Sequence, residues 1–158
     1  MNEHMMHWTE CELVLTPNKC HAKRAVRVMA LGFLFLLLSV YLALRFHNFW
    51  QLPLAIGASS AGLAWFYKNF SANMELTIPN GIGEITFRSG FTSKKQIMKK
   101  DEAEIVRNTL NGNPYYAIAH KQNPYGRSYQ ISPFLTKKKR AAEFEENILP
   151  IIVQQLAN

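Results

Sequence analysis

The residues of this 158-residue chain best suited to chemistry lie near its start: His4, His7, Cys11, Cys20 and His21. Thiolate and imidazole are the usual protein ligands of zinc. A structural zinc site, however, pairs its ligands at short fixed spacings, and no CxxC knuckle is present here. The set reads as a polar leading segment, and no metal is expected. The carboxylates make no stronger case. Asp101, Glu102 and Glu104 adjoin a lysine pair, and Glu143, Glu145 and Glu146 follow the basic run Lys137 to Arg140, with no nucleophile beside either group. Asn80-Gly81-Ile82-Gly83 has two glycines but not the GxxxxGK[ST] pattern that cradles phosphate. Ser59 and Ser60 sit in an apolar run, where bonding back into their own helix accounts for them. His47 lies at the end of an apolar run, a poor position for an axial haem ligand. No catalytic residue and no cofactor are expected.

Two other patterns point to binding. Gly57/Ala61 and Ala58/Gly62 are small pairs four residues apart, which stack on a helix face and permit close backbone approach. Lys94, Lys95, Lys99 and Lys100 fall within the seven residues KKQIMKK, and Lys19, Lys23, Arg24 and Arg27 precede the first apolar run. Near an anionic leaflet, each such charge contributes roughly 1 kcal/mol. For KKQIMKK, and for the KKKR run Lys137 to Arg140 before the last helix, the competing reading is a solvated face. The formal charge is +7. Nucleic-acid binding would need a basic face on a recognisable module, and none is present.

The elements that carry these residues divide sharply by composition. Residues 28 to 67 hold only Arg45 and His47 as chargeable groups, whereas residues 70 to 158 hold twelve Lys/Arg and eight Asp/Glu. Val28 to Leu44 is an uncharged run of seventeen residues, about 26 Å as a helix, which flanking arginines and Phe46 extend toward a hydrocarbon core of roughly 30 Å. It starts late for a signal peptide and lacks a small-residue cleavage site after it. A second run, Phe49 to Tyr67, carries Trp50 at one end and Trp65 with Tyr67 at the other. The expectation is a transmembrane helical hairpin over residues 23–69. It follows a segment 1–22 and precedes an α+β domain over 70–158.

Basic residues flank the outer ends of the hairpin, and Arg45 stands alone near its loop, so the positive-inside bias places both termini in the cytoplasm. On that side Cys11 and Cys20 stay reduced. Beyond residue 72, Met74, Leu76 and Ile78 alternate with polar neighbours, as do Ile85 and Phe87 across the Pro79-Asn80-Gly81 turn. Ile97 marks a third strand. Asp101 to Asn108 is readable as a short helix or a strand, and Tyr115 to Lys121 as a strand. Ser132 or Thr136 can cap a last amphipathic helix built on Phe144, Ile148 and Ile151 or Ile152, with Pro150 kinking it. A small antiparallel β-roll, pleckstrin-homology-like in plan and closed by that helix, is the simplest assembly.

The segments LVLTPNKC (Leu13 to Cys20), LPL (Leu52 to Leu54) and SPFLTKKKRAAEFEENI (Ser132 to Ile148) resemble a bacterial two-span membrane family of unknown function, domain of unknown function number 2244. The layout is also similar to membrane-anchored pleckstrin-homology-like proteins, photosystem assembly factors among them. Lys19 and Cys20 stand where that family usually has Arg and Ser, and Pro133 replaces its glycine. The resemblance brings no activity or catalytic residue. It implies one more strand, Glu12 to Thr16, pairing with the sheet after residue 72. The function expected is a non-enzymatic accessory or assembly subunit of a bacterial inner-membrane complex, such as a respiratory one. Its partners would be other integral membrane subunits and the phospholipid bilayer. The alternatives are an adaptor whose basic domain binds anionic lipid or a nucleotide, and a membrane-bound enzyme.

Overall fold

Alternating apolar and polar residues build two antiparallel sheets in the computed structural model, which describes residues 5–9, 12–47 and 49–157. His4, Cys11 and the loop residue Asn48 lie outside the described residues. The first sheet has the order β1-β2-β3-β4-β5, with β1 Met6–Thr9, β2 Glu12–Leu15, β3 Glu75–Pro79, β4 Glu84–Arg88 and β5 Lys95–Lys99. The second is β6 Ala103–Leu110, β7 Asn113–His120 and the two-residue β8 Tyr129–Gln130. β2 pairs with β3 across some sixty residues of intervening sequence, Leu13 opposite Ile78 and Leu15 opposite Leu76. The β6–β7 hairpin closes on Asn111-Gly112, with φ of 51° and 77°. That double left-handed turn matches the twist of the flanking strands, and Asn-Gly adopts it readily.

The chain divides into two compact units, one formed by the stretch ending at Cys20 together with that from Asn73 onward, the other by His21–Ala72. In the first, Leu13, Leu15, Leu76, Ile78, Ile85, Ile118 and Ile131 form the core with Phe144, Ile148 and Ile152. The last three come from helices α3 Lys138–Asn147 and α4 Leu149–Ala157 and the junction between them. In the second unit, α1 Ala22–Phe46 packs along α2 Gln51–Phe66, and a π-helical turn Tyr67–Ser71 follows.

Several expectations are corrected here. Among the described residues one helical stretch, Lys19–Phe46, is long and apolar enough to cross a membrane. α2 has only sixteen residues, a rise of about 24 Å against a hydrocarbon core of roughly 30 Å. The two-span transmembrane hairpin is therefore not what forms, although α1 and α2 do pack together. A multi-pass inner-membrane placement with both termini cytoplasmic falls with it, because that argument needs an even number of crossings. The β-roll is also absent: the sheets stay open. β5 and β6 do not pair, because a 3₁₀ turn at Lys100–Glu102 separates them. Asp101 to Asn108 is thus a short helical turn followed by a strand. The C-terminal helix is two helices, broken at Ile148, with Pro150 in the first turn of α4, where its missing N–H costs nothing. Neither Ser132 nor Thr136 caps α3; its N-cap position is Lys137, with no side-chain bond.

Tyr116 joins the second sheet to α3. Its ring stacks on Phe144 at 5.5 Å, and its hydroxyl donates to Glu145 Oε1 at 2.8 Å. Burial, and then the bond to Glu145 and the carboxylate's charge, raise the phenol's pKa above its ordinary 10.0, with Arg107 pulling weakly the other way. A raised folded-state pKa means that this contribution is intact below about pH 10 and is lost as pH climbs through the raised value. Tyr116→Phe should accordingly flatten the alkaline fall in urea midpoint relative to the parent chain. Parallel alkaline limbs in the two proteins would refute the coupling.

Candidate functional site

A glycine in an apolar helix lowers helix propensity and is retained where another backbone must come close. Gly32 of α1 and Gly57 of α2 meet this description. A Cβ on Gly57 would stand 2.8 Å from the Gly32 carbonyl oxygen and 2.9 Å from the Leu36 nitrogen. One on Gly32 would stand 2.8 Å from the Ala61 nitrogen. The two backbones are in direct contact at this crossing. Ser39, buried, donates from Oγ to the Trp50 carbonyl at 2.9 Å and fastens the start of α2 to α1. His47 and Phe49 both take positive φ, 58° and 63°, to reverse the chain between the helices.

The small-residue set seen in the sequence therefore splits. Gly57 is buried and Ala61 half-buried, and both face α1. Ala58 and Gly62 are exposed, and a Cβ on Gly62 would meet nothing within 4 Å. Gly32 escaped the sequence reading, although it is the only glycine in the leucine-rich run. Ser59 and Ser60 donate to carbonyls one turn back, at 2.7 Å to Ala55 and Ile56 respectively.

Around this seam the pair is apolar and uncovered. Only 17% of the apolar stretch of α1 is buried. Leu31, Leu34, Leu37 and Leu44 are exposed, as are Leu52, Leu63 and Trp65 of α2. A helix that is hydrophobic all round is normally a core helix or a membrane helix. With so little of it buried, α1 is not a core helix of this chain.

The basic residues separate as well. Lys23, Arg24 and Arg27 are exposed on the first two turns of α1, and Lys19 is exposed just before it. Lys95 and Lys99 are exposed on β5, while Lys94 pairs with Glu12 at 3.8 Å. Lys100 is buried, so it is withdrawn from any contact with a lipid surface. Its Nζ donates to the Gly81 carbonyl at 2.9 Å and the Pro79 carbonyl at 3.4 Å.

Of the candidate metal ligands, His7 is exposed on β1 opposite Val14, and Cys20 and His21 belong to the 3₁₀ turn Lys19–His21. Among the described residues no group of three His, Cys, Asp or Glu side chains is placed to hold a metal. No family model, curated protein or solved structure matches this chain, so the resemblance to the two-span family is carried by its short motifs alone.

Proposed function

We propose that this chain is a non-catalytic accessory subunit, attached to a membrane through α1 and packed through the outer face of α2 against another integral membrane protein. The observation that carries the reading is the uncovered apolar surface of α1. Leu37 and Leu44 are 67% and 77% exposed. Each leucine side chain left in water forgoes about 1.5–3 kcal/mol of burial, and a row of them is stable only under lipid or protein. Ala58 and Gly62 add an exposed small-residue stripe on which a partner helix can approach closely.

The lipid-adaptor alternative draws less support. Its lysine cluster has one member buried and another already paired with Glu12.

The chain should sediment with membranes and stay there through an alkaline carbonate wash. Release without detergent would end the membrane half of the proposal. Native mass spectrometry after purification in several mild detergents should then recover a hetero-complex, and Gly62→Leu or Ala58→Leu should reduce the bound partner about tenfold. Recovery solely as a free monomer or self-oligomer in every detergent would overturn the accessory-subunit reading.

A further inference from the structure

Lys100 is 6% exposed, and its ammonium meets two carbonyl oxygens of the β3–β4 turn. Among the described residues no carboxylate lies within 4 Å of it. A buried ion costs several kcal/mol of lost hydration, and neutral carbonyls return only part of that. Among the described residues, one of its three protons has no acceptor. The same turn is also held by Gln155, which donates to the Pro79 carbonyl at 3.0 Å and to Asn80 Oδ1.

Lys100 lines a cavity of about 540 Å³ between this turn and the end of α4, within the range that houses small organic ligands. Its lining presents more apolar than polar surface, with Leu156, Ala157 and the rim residue Ile82 supplying apolar side chains and Glu84, Lys99, Lys100 and Asp101 the charged ones. Ile82 is fully exposed at the mouth, an unusual setting for a branched apolar side chain. The amides of Gly81, Ile82 and Gly83 have no acceptor among the described residues. Lys99 on one side is balanced by Glu84 and Asp101, both exposed at the mouth.

We infer that this cavity binds a monocarboxylate with an apolar body. The carboxylate would accept from Lys100 and the free turn amides while the body covers Ile82, Leu156 and Ala157. The two acidic residues at the mouth disfavour a multiply charged anion such as phosphate, and the apolar walls disfavour a small hydrophilic one. A fatty acid and a compact soluble acid share this chemistry.

The test is a titration of the ¹⁵N-labelled full chain in detergent with hexanoate, following the Gly81 and Gly83 amide signals. Saturable shifts are expected. Hexanol, which partitions into micelles but has no charge, should give none, and neither should inorganic phosphate. Octanoate binding several-fold tighter than hexanoate would identify a fatty acid, and equal affinity a compact acid.

Lys100→Met should weaken hexanoate at least about tenfold, the loss expected for a charge-assisted hydrogen bond. Lys99→Met should weaken it less. Ala157→Leu narrows the cavity while keeping the lysine at position 100 and should weaken binding as well, so the inference stays testable if Lys100→Met fails to fold. Absence of saturation in the parent chain, equal binding of phosphate or hexanol, or undiminished binding by a folded Lys100→Met or Ala157→Leu chain would each overturn it. In those cases Lys100 is only a structural pin of the turn.

Discussion

Phe144→Ala is expected to destabilise the sheet-bearing unit by about 3–5 kcal/mol, and Ile148→Ala or Ile152→Ala by about 2–5 kcal/mol. All three side chains are fully buried. Phe144 lies under the Tyr116 ring, so its removal leaves a cavity beside the hydroxyl that bonds α3 to the second sheet through Glu145. The surrounding strands cannot readily collapse into that space, because β7 is held on both sides, by β6 and by β8. Val153 of α4 is half exposed and serves as the control; its alanine variant should change stability by less than about 0.5 kcal/mol. Protease resistance of the full chain in increasing urea reads the difference directly. Unchanged resistance in the Phe144 and Ile148 variants would place the last helices outside the core.

The period-two alternation at Leu76, Ile78, Ile85 and Phe87 was legible because one-sided burial leaves its mark on every second residue. The helical spacing of Phe144, Ile148 and Ile152 survives Pro150 for a local reason: the proline falls in the first turn of α4, and both helices still present one face. What stayed hidden depends on where elements stop. Phe49 to Tyr67 is uncharged throughout, yet the α-helix ends at Phe66 and the chain passes into a π turn, so counting uncharged residues overstated the span. The break between β5 and β6 likewise rests on three residues of 3₁₀ turn with no hydrophobic signature.

Lys100 shows how a signal can be present and still be overruled. Strand periodicity puts it on the same side as Met98, which packs on the core. The run KKQIMKK reads instead as a solvated charge cluster, and the cluster reading won. The β4–β5 register shift near Ile85 and Thr86, where Gln96 and Met98 find partners and Ile97 does not, lets Ile97 and Met98 both approach the core just before Lys100. Nothing in a single sequence announces that bulge.

Gly57→Leu should separate the two helices of the apolar pair, whereas Gly62→Leu should leave them together. The two positions are five residues apart on one helix and look alike in sequence. At Gly57 even a methyl would press within 3 Å of the α1 backbone, at the Gly32 oxygen and the Leu36 nitrogen, so no rotamer relieves the clash. Overpacking usually costs 1–3 kcal/mol where side chains can yield. Here the opposing atoms are backbone, and a loss of about 3 kcal/mol or more is expected for leucine. At Gly62 the added side chain meets open space, and leucine also has the better helix propensity, so the change should lie within about 1 kcal/mol of neutral or be slightly stabilising. Ser39→Ala falls between them at about 1 kcal/mol, the usual net worth of its hydrogen bond to Trp50. Unfolding in graded dodecyl sulfate, followed by tryptophan fluorescence in a Trp8→Phe background, reports on α2 through Trp50 and Trp65. A shared midpoint for Gly57→Leu and Gly62→Leu would refute the assignment of faces. Separated midpoints would show that a Gly62 variant defective in partner association still has its helix pair intact, which is the condition under which that defect can be read as a lost interface.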